Sequence, residues 1–293
     1  MKTILVPTDF SKGALNAVKY AFSYAELTKR KIVLFHSYIK PSSGLDIPFS
    51  GVHYDKQEAK TDAEERMKKL IKSLSKSFPN LAPKWVVQPG VASHAIIDYV
   101  KQNKIEMVIM GTTGQGVISS VLIGNTTSTV LKEVPCTIIV IPSGAKFKEI
   151  TKVAIATDLK HDSLLAVDEV VSFARELKAE AMFIHVEDFG DFNIEKKLQK
   201  MAIKIQKQVN YKKISLSLYK DSEIESGLDL FIKKNKPDIF SMVTHHSKFP
   251  ERLWKTSWTD RMSKHISVPL LVVHIPKLSS AKNKPINVEP LEN

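Results

Sequence analysis

Three glycines, Gly111, Gly114 and Gly124, punctuate the stretch that leaves Met110 and ends in Asn125-Thr126-Thr127. Glycines allow backbone N–H groups to turn toward a phosphate with no Cβ in the way. The residues after Gly124 begin a helix, whose free N-terminal N–H groups and dipole favour an anion. Asn125, Thr126 and Thr127 add side-chain donors at the same place. Near the start of the chain, Pro7-Thr8-Asp9 supplies a carboxylate that can accept hydrogen bonds from an adenine amino group or a ribose hydroxyl, and His36-Ser37 forms a second short polar exit. This set binds a nucleotide better than it cleaves one. Fast phosphoryl transfer needs Mg²⁺ ligands, a lysine on the terminal phosphates and a positioned base. The loop lacks the Gly-Lys-Ser/Thr ending of a P-loop, and no Ser-His-Asp or Cys-His set joins it, so no catalytic residue is assigned.

The elements that must carry these residues alternate. Ile4 to Pro7 reads as a short strand buried on both faces. A helix begins at Ser11, with Ala14, Val18, Ala21, Phe22 and Ala25 at helical spacing and Asp9 or Ser11 as its cap. Ile32 to His36 is the second strand, Asp55 to Ser77 a charged helix, Lys84 to Gln88 a third strand and Ser93 to Gln102 a helix. Met107 to Met110, Thr126 to Lys132 and Thr137 to Ile141 then read as strand, helix and strand. Such alternation predicts a parallel sheet with helices on both faces. Ligands of such sheets sit beyond the carboxyl ends of the strands, where the first, second and fourth strands release the three segments above.

The pattern is written twice. Thr3 to Asp9 resembles Lys152 to Asp158, and Lys31 to His36 resembles Glu180 to His185, both pairs 149 residues apart. Val134 to Pro142 resembles Val268 to Pro276. The chain therefore reads as two tandem, open, parallel five-stranded α/β sheets of Rossmann-like type. The expected domains are 1–142 and 150–276, with a polar, mobile tail at 277–293. The copies are expected to pair through their last strands, Thr137 to Ile141 and Leu270 to His274, with a further homodimer left open. The second copy carries no glycine between Thr244 and Thr259, so bulky side chains stand where a phosphate would approach backbone. Asp158 is then a helix cap.

With these residues in view, the first copy resembles the universal stress protein family in its nucleotide-binding branch. That family's loop runs Gly, two residues, Gly, nine residues, Gly, then Ser or Thr. Gly111, Gly114 and Gly124 keep the spacing, with Asn125 in the place of the Ser or Thr. The resemblance covers 1–142 well and 150–276 more loosely. It implies an adenine nucleotide alpha hydrolase-like fold and a stress-response regulatory role. It implies ATP, or ADP or AMP, with or without Mg²⁺, as the ligand. The nucleotide-binding residues would be Pro7, Thr8, Asp9, His36, Ser37, Met110, Gly111, Thr112, Gly114, Gly124, Asn125 and Thr126. Hydrolysis would be weak at most. The rival readings are a scaffold that binds no nucleotide, with its basic surface toward an acidic partner, and a slow ATPase.

Composition limits the remaining classes. Over 293 residues the net charge is +12, but the lysines are spread along amphipathic stretches with no interleaved aromatics, so nucleic acid is not the expected partner. No apolar run approaches the ~18 residues of a membrane span. The lone Cys136 excludes an intrachain disulfide and reads as a small core residue; with the short N-terminal apolar run it points to the cytoplasm. His245-His246 lacks a third ligand at useful spacing, so no metal site is assigned. Trp254 and Trp258, four residues apart, read as packing residues, and His36 and His185 as buried imidazoles that end strands.

Overall fold

The apolar runs of the sequence are strands, and they lie side by side in one sheet. The computed structural model describes residues 2–39, 56–112, 123–157, 163–187, 194–245 and 268–275. In the first half the order is β1 (Thr3–Pro7), α1 (Lys12–Thr28), β2 (Lys31–Tyr38), α2 (Lys56–Ser77), β3 (Lys84–Pro89), α3 (Ala92–Gln102), β4 (Met107–Gly111), α4 (Asn125–Glu133) and β5 (Thr137–Ile141). The second half follows as β6 (Lys152–Ala156), α5 (Ser163–Glu176), β7 (Glu180–Glu187), α6 (Ile194–Gln208), β8 (Ile214–Lys220), α7 (Ile224–Asn235), β9 (Ile239–His245) and β10 (Leu270–Ile275).

Each half is parallel, and the two are joined in a single ten-stranded sheet of order β3-β2-β1-β4-β5-β10-β9-β6-β7-β8. The seam is antiparallel, with Ile139 opposite Leu271. The two five-stranded sheets read from the sequence are therefore continuous with one another. Helices cover both faces. One core layer holds Ile4, Leu34, Ile139, Ile155, Phe183 and Leu271 under α1, α2, α5 and α6. The other holds Leu5, Phe35, Val108, Ile184 and Phe240 under α3, α4 and α7. Full burial of each large aliphatic side chain contributes about 1.5–3 kcal/mol.

Local chemistry sets the boundaries. Ser11 caps α1, its Oγ accepting from Ala14 N at 3.2 Å, while Asp9 Oδ1 accepts from Ser11 N at 2.9 Å and shapes the preceding turn. Of the two expected caps, Ser11 is the one used. The stripe from Ala14 to Ala25 is buried, and the helix stops at Lys29, which is left-handed at φ 53°. Lys178 ends α5 in the same way at φ 56°.

The halves are related by an approximate twofold axis through the seam. Tyr24 and its counterpart Phe173 stack across it, with ring centroids 6.1 Å apart and planes 12° apart. Beside them the buried Arg30 donates from Nη2 to Glu176 Oε2 at 2.6 Å. The linker is clamped as well. Asn16 Nδ2 donates to the carbonyls of Pro142 and Ala145, and Phe147 meets the Tyr20 ring edge-on at 5.0 Å. Asp238 Oδ2 accepts from Thr151 N, Thr151 Oγ1 and Lys152 N, and its Oδ1 pairs with Lys148 Nζ at 2.7 Å. Burial alone would raise the Asp238 pKa, but these donors hold it below the ordinary carboxylate value.

Cys136 is half-buried against the second core layer, and burial pushes its thiol up to about 12, as suits a packing residue. Asp158, His246, Trp254, Trp258 and the tail 277–293 lie outside the described residues.

Candidate functional site

At the carboxyl edge of the first half lies a cleft of about 550 Å³. The exits of β1, β2 and β4 and the start of α4 line it, through Pro7, Thr8, Asp9, His36, Ser37, Met110, Gly111, Gly124, Asn125 and Thr126. These ten are residues that the sequence singles out. Thr112 stands behind the wall: its N donates to Ile141 O at 3.1 Å, and its carbonyl accepts from Gly124 N at 2.8 Å. That second bond pins the two ends of the loop together, so Thr112 closes the neck of the loop. Gly114 lies outside the described residues.

The helix that points into this cleft has an open mouth. Gly124 occupies the cap position of α4 in extended conformation and has no side chain to satisfy the first N–H groups. The helix is held by Thr127, whose buried Oγ1 donates to Gly111 O at 3.0 Å. Packing also favours glycine at 111: a Cβ there would lie 3.2 Å from the Gly13 carbonyl oxygen, tight enough that the start of α1 would have to give by a few tenths of an ångström. Glycine here lets α1 start directly against the end of β4. The sequence assigns Gly111 to phosphate approach; the geometry adds this second demand.

His36 sits at the floor. Its Nδ1 lies 2.7 Å from the Thr8 carbonyl, which can only accept, so Nδ1 carries the proton and Nε2 is the acceptor of the neutral ring. Burial lowers its pKa below the usual histidine value; the bond to Thr8 opposes this only in part, and nearby Arg66 adds to the lowering. The ring is therefore neutral at pH 7. Phe10, left-handed at φ 63°, covers His36 with ring centroids 4.6 Å apart, and the Arg66 guanidinium lies 4.5 Å over Phe10.

The sequence reading brings three segments to this edge; the structure brings four. The turn after β3 contributes Gly90, Val91 and Ala92. Gly90 has φ +139°, a conformation open to glycine, and its N donates to Tyr38 O at 2.9 Å. The Pro89-Gly90 dipeptide was the available signal for this turn. Phe35, Ile39, Val91 and Ile96 make this side apolar, with Ile39 80% and Val91 60% exposed at the lip. The cleft thus has a polar end at α4 and an apolar end between β2 and α3. Among the described residues no group of three or more His, Cys, Asp or Glu could hold a metal ion, and no helix is long and apolar enough to cross a membrane.

Comparison with known proteins agrees with this arrangement. Residues 1–142 match the universal stress protein family. The chain is 26% identical over 152 residues to a universal stress protein of Methanocaldococcus jannaschii, covering 50% of this chain and 84% of that protein. It is 25% identical over 143 residues to one of Synechocystis, covering 48% of this chain and 85% of that protein. A solved universal stress protein from Archaeoglobus fulgidus covers 93% of this chain and 98% of its own, with a TM-score of 0.68 at 14% identity. That likeness concerns the fold, and it extends through both halves. Residues 1–142 form a universal stress protein domain, and the fold of such a protein runs through both halves of the chain.

Proposed function

We propose that this protein is a cytoplasmic stress-response regulator that binds an adenine nucleotide, ATP first among them, in the first-half cleft. The observation that carries the reading is the convergence of the uncapped α4 N-terminus with Asp9, His36 and Ser37 around one cleft of about 550 Å³. That volume falls in the range of ~300–1,000 Å³ usual for small-molecule sites. In this reading the phosphates meet the N–H groups and side chains of Asn125 and Thr126. The base lies toward Phe35, Val91 and Met110. Asp9 and the neutral His36 both accept hydrogen bonds, which suits ribose hydroxyls and an exocyclic amine. Mg²⁺ would travel with the phosphates, since the described lining offers Asp9 as its one carboxylate. No lysine lines the cleft among the described residues, so turnover is expected to be slow.

The test is calorimetric titration with ATP and AMP, for the wild type and for Gly124→Val. Gly124 has φ −67° and ψ 158°, which valine adopts without strain, so the variant blocks the mouth of α4 and spares the backbone. Micromolar binding that the variant loses supports the site. A folded wild type that binds neither nucleotide refutes it and leaves the scaffold reading.

A further inference from the structure

The approximate twofold axis exposes a groove that is filled on one side of the molecule and open on the other. On the filled side, the linker leaves β5 at Ile141-Pro142, crosses the starts of β10 and β9 and reaches β6. On this path Phe147 covers Tyr20, and Lys148 pairs with Asp238 at 2.7 Å. The counterparts of Tyr20 and Asp238 are Glu169 and Glu106. Glu106 precedes β4 as Asp238 precedes β9, its N donating to Thr3 O as Asp238 N donates to Lys152 O. On this second side a groove of about 330 Å³ crosses the seam, lined by Lys2, Arg30, Glu106, Glu169, Phe173 and Glu176 among others. Lys2 and Arg30 both turn to Glu176, at 4.0 and 2.6 Å. Glu106 and Glu169 therefore have no cation beside them among the described residues, and the groove is an acidic copy of the linker's bed.

The chain holds a segment that matches this bed. After β10 comes Ile275-Pro276, the counterpart of Ile141-Pro142. Six residues beyond Pro142 stands Lys148, and six residues beyond Pro276 stands Lys282. Lys277, Lys282 and Lys284 are cationic, and no acidic residue appears before Glu289. Phe147 corresponds to Ala281 as Tyr20 corresponds to Glu169, so on this side neither partner is aromatic. A strand end that is related by the axis to β5 delivers this segment to the groove's mouth, where Val273 forms part of the wall.

We propose that this groove is the docking seat of the chain's own basic segment, residues 277–284, with Lys282 serving Glu106 as Lys148 serves Asp238. The docked segment straps the second half onto the first at the edge opposite the linker. It ties the start of β4, which carries Gly111 at its far end, to the end of β10. The pairing rests on charge in a partly exposed groove, so salt weakens it.

Hydrogen exchange on the full chain tests this, followed by mass spectrometry. Amides of residues 278–284 should exchange at least about tenfold more slowly than in an unstructured peptide of the same sequence. Protection should fall toward the free-peptide rate in Glu106→Gln/Glu169→Gln and in about 1 M salt. It should not change on tenfold dilution of the protein. As a second readout, oxidation of a chain carrying Glu169→Cys and Ala281→Cys should give an intrachain disulfide in the monomer. Free-peptide exchange of 278–284 in the wild type overturns the proposal. So does protection that survives both glutamine changes, or that vanishes on dilution, which would place the segment on a second copy.

Discussion

The two halves share their floor and differ at their rim. In the first, His36 Nδ1 meets the Thr8 carbonyl at 2.7 Å; in the second, His185 Nδ1 meets the Thr157 carbonyl at 2.8 Å. Around that common anchor the residues diverge. Ser37, which lines the cleft, corresponds to Val186, which is 9% exposed. Val186 fits because α7 carries Gly227 where α3 carries Ala95; a Cβ at 227 would lie 2.6 Å from Val186 Cγ1. Tyr38 corresponds to Glu187, whose Oε2 takes the second ring nitrogen of His185 at 2.8 Å. Gly111 corresponds by sheet register to Val243. A histidine bonded through Nδ1 in the first half is matched by one bonded through both ring nitrogens in the second, and a small polar wall is matched by a packed apolar one. Duplication preserved what holds the sheet together and altered what would hold a guest.

Substitutions that convert one half into the other measure this comparison. The largest effect is expected from Gly111→Val, which imports the residue of the second half. Its Cβ would stand 3.2 Å from the Gly13 carbonyl oxygen, so the start of α1 must give by a few tenths of an ångström, and the valine methyls add to the crowding. The expected cost is about 1–3 kcal/mol in urea denaturation, together with loss of measurable ATP binding by calorimetry. Next is the seam. Glu176→Leu leaves the buried Arg30 guanidinium without its carboxylate; because Glu176 is itself 33% exposed, the loss should be about 2 kcal/mol, below the ~3–5 of a fully buried pair. Arg30→Met with Glu176→Leu should recover part of that loss, measured by the same denaturation. Ser37→Val made together with Ala95→Gly, which imports both partners of the second half's packing, should cost about 1 kcal/mol for the glycine placed in α3 and weaken ATP about tenfold. Unchanged affinity there would remove Ser37 from the site.

The smallest expected effect is on pH dependence. The folded-state pKa of His36 is lowered, so between it and the unfolded value of about 6.5 the unfolded chain binds the extra proton. Its contribution to stability is full above that unfolded value and declines as pH falls through it. Urea midpoints between pH 8 and 5 should fall in the wild type and fall less in His36→Asn.

The strands and helices of the first half were legible because apolar runs of four or five residues alternate with helical stripes, and every expected element there recurs within about two residues of its place. The glycine spacing led to the edge where the cleft lies, since Gly111 and Gly124 flank the α4 mouth. What the sequence hid was contact between distant segments. Nothing in Gly90-Val91-Ala92 marks it as cleft wall until β3 is laid beside β2. Thr112 looks like a ligand residue by position, and only the bonds to Ile141 and Gly124 show that it closes the loop neck. The Val186–Gly227 exchange involves two residues 41 positions apart that mean nothing singly. Charge pairs across the seam, Arg30 with Glu176 and Lys148 with Asp238, likewise need the fold to be seen.

The central claim is that one half of a duplicated fold kept its guest site while the other filled it. Native mass spectrometry of the full chain with excess ATP counts the guests directly. The account predicts one nucleotide per chain, falling to none in Gly124→Val. Two per chain, or one that persists in that variant, would contradict it.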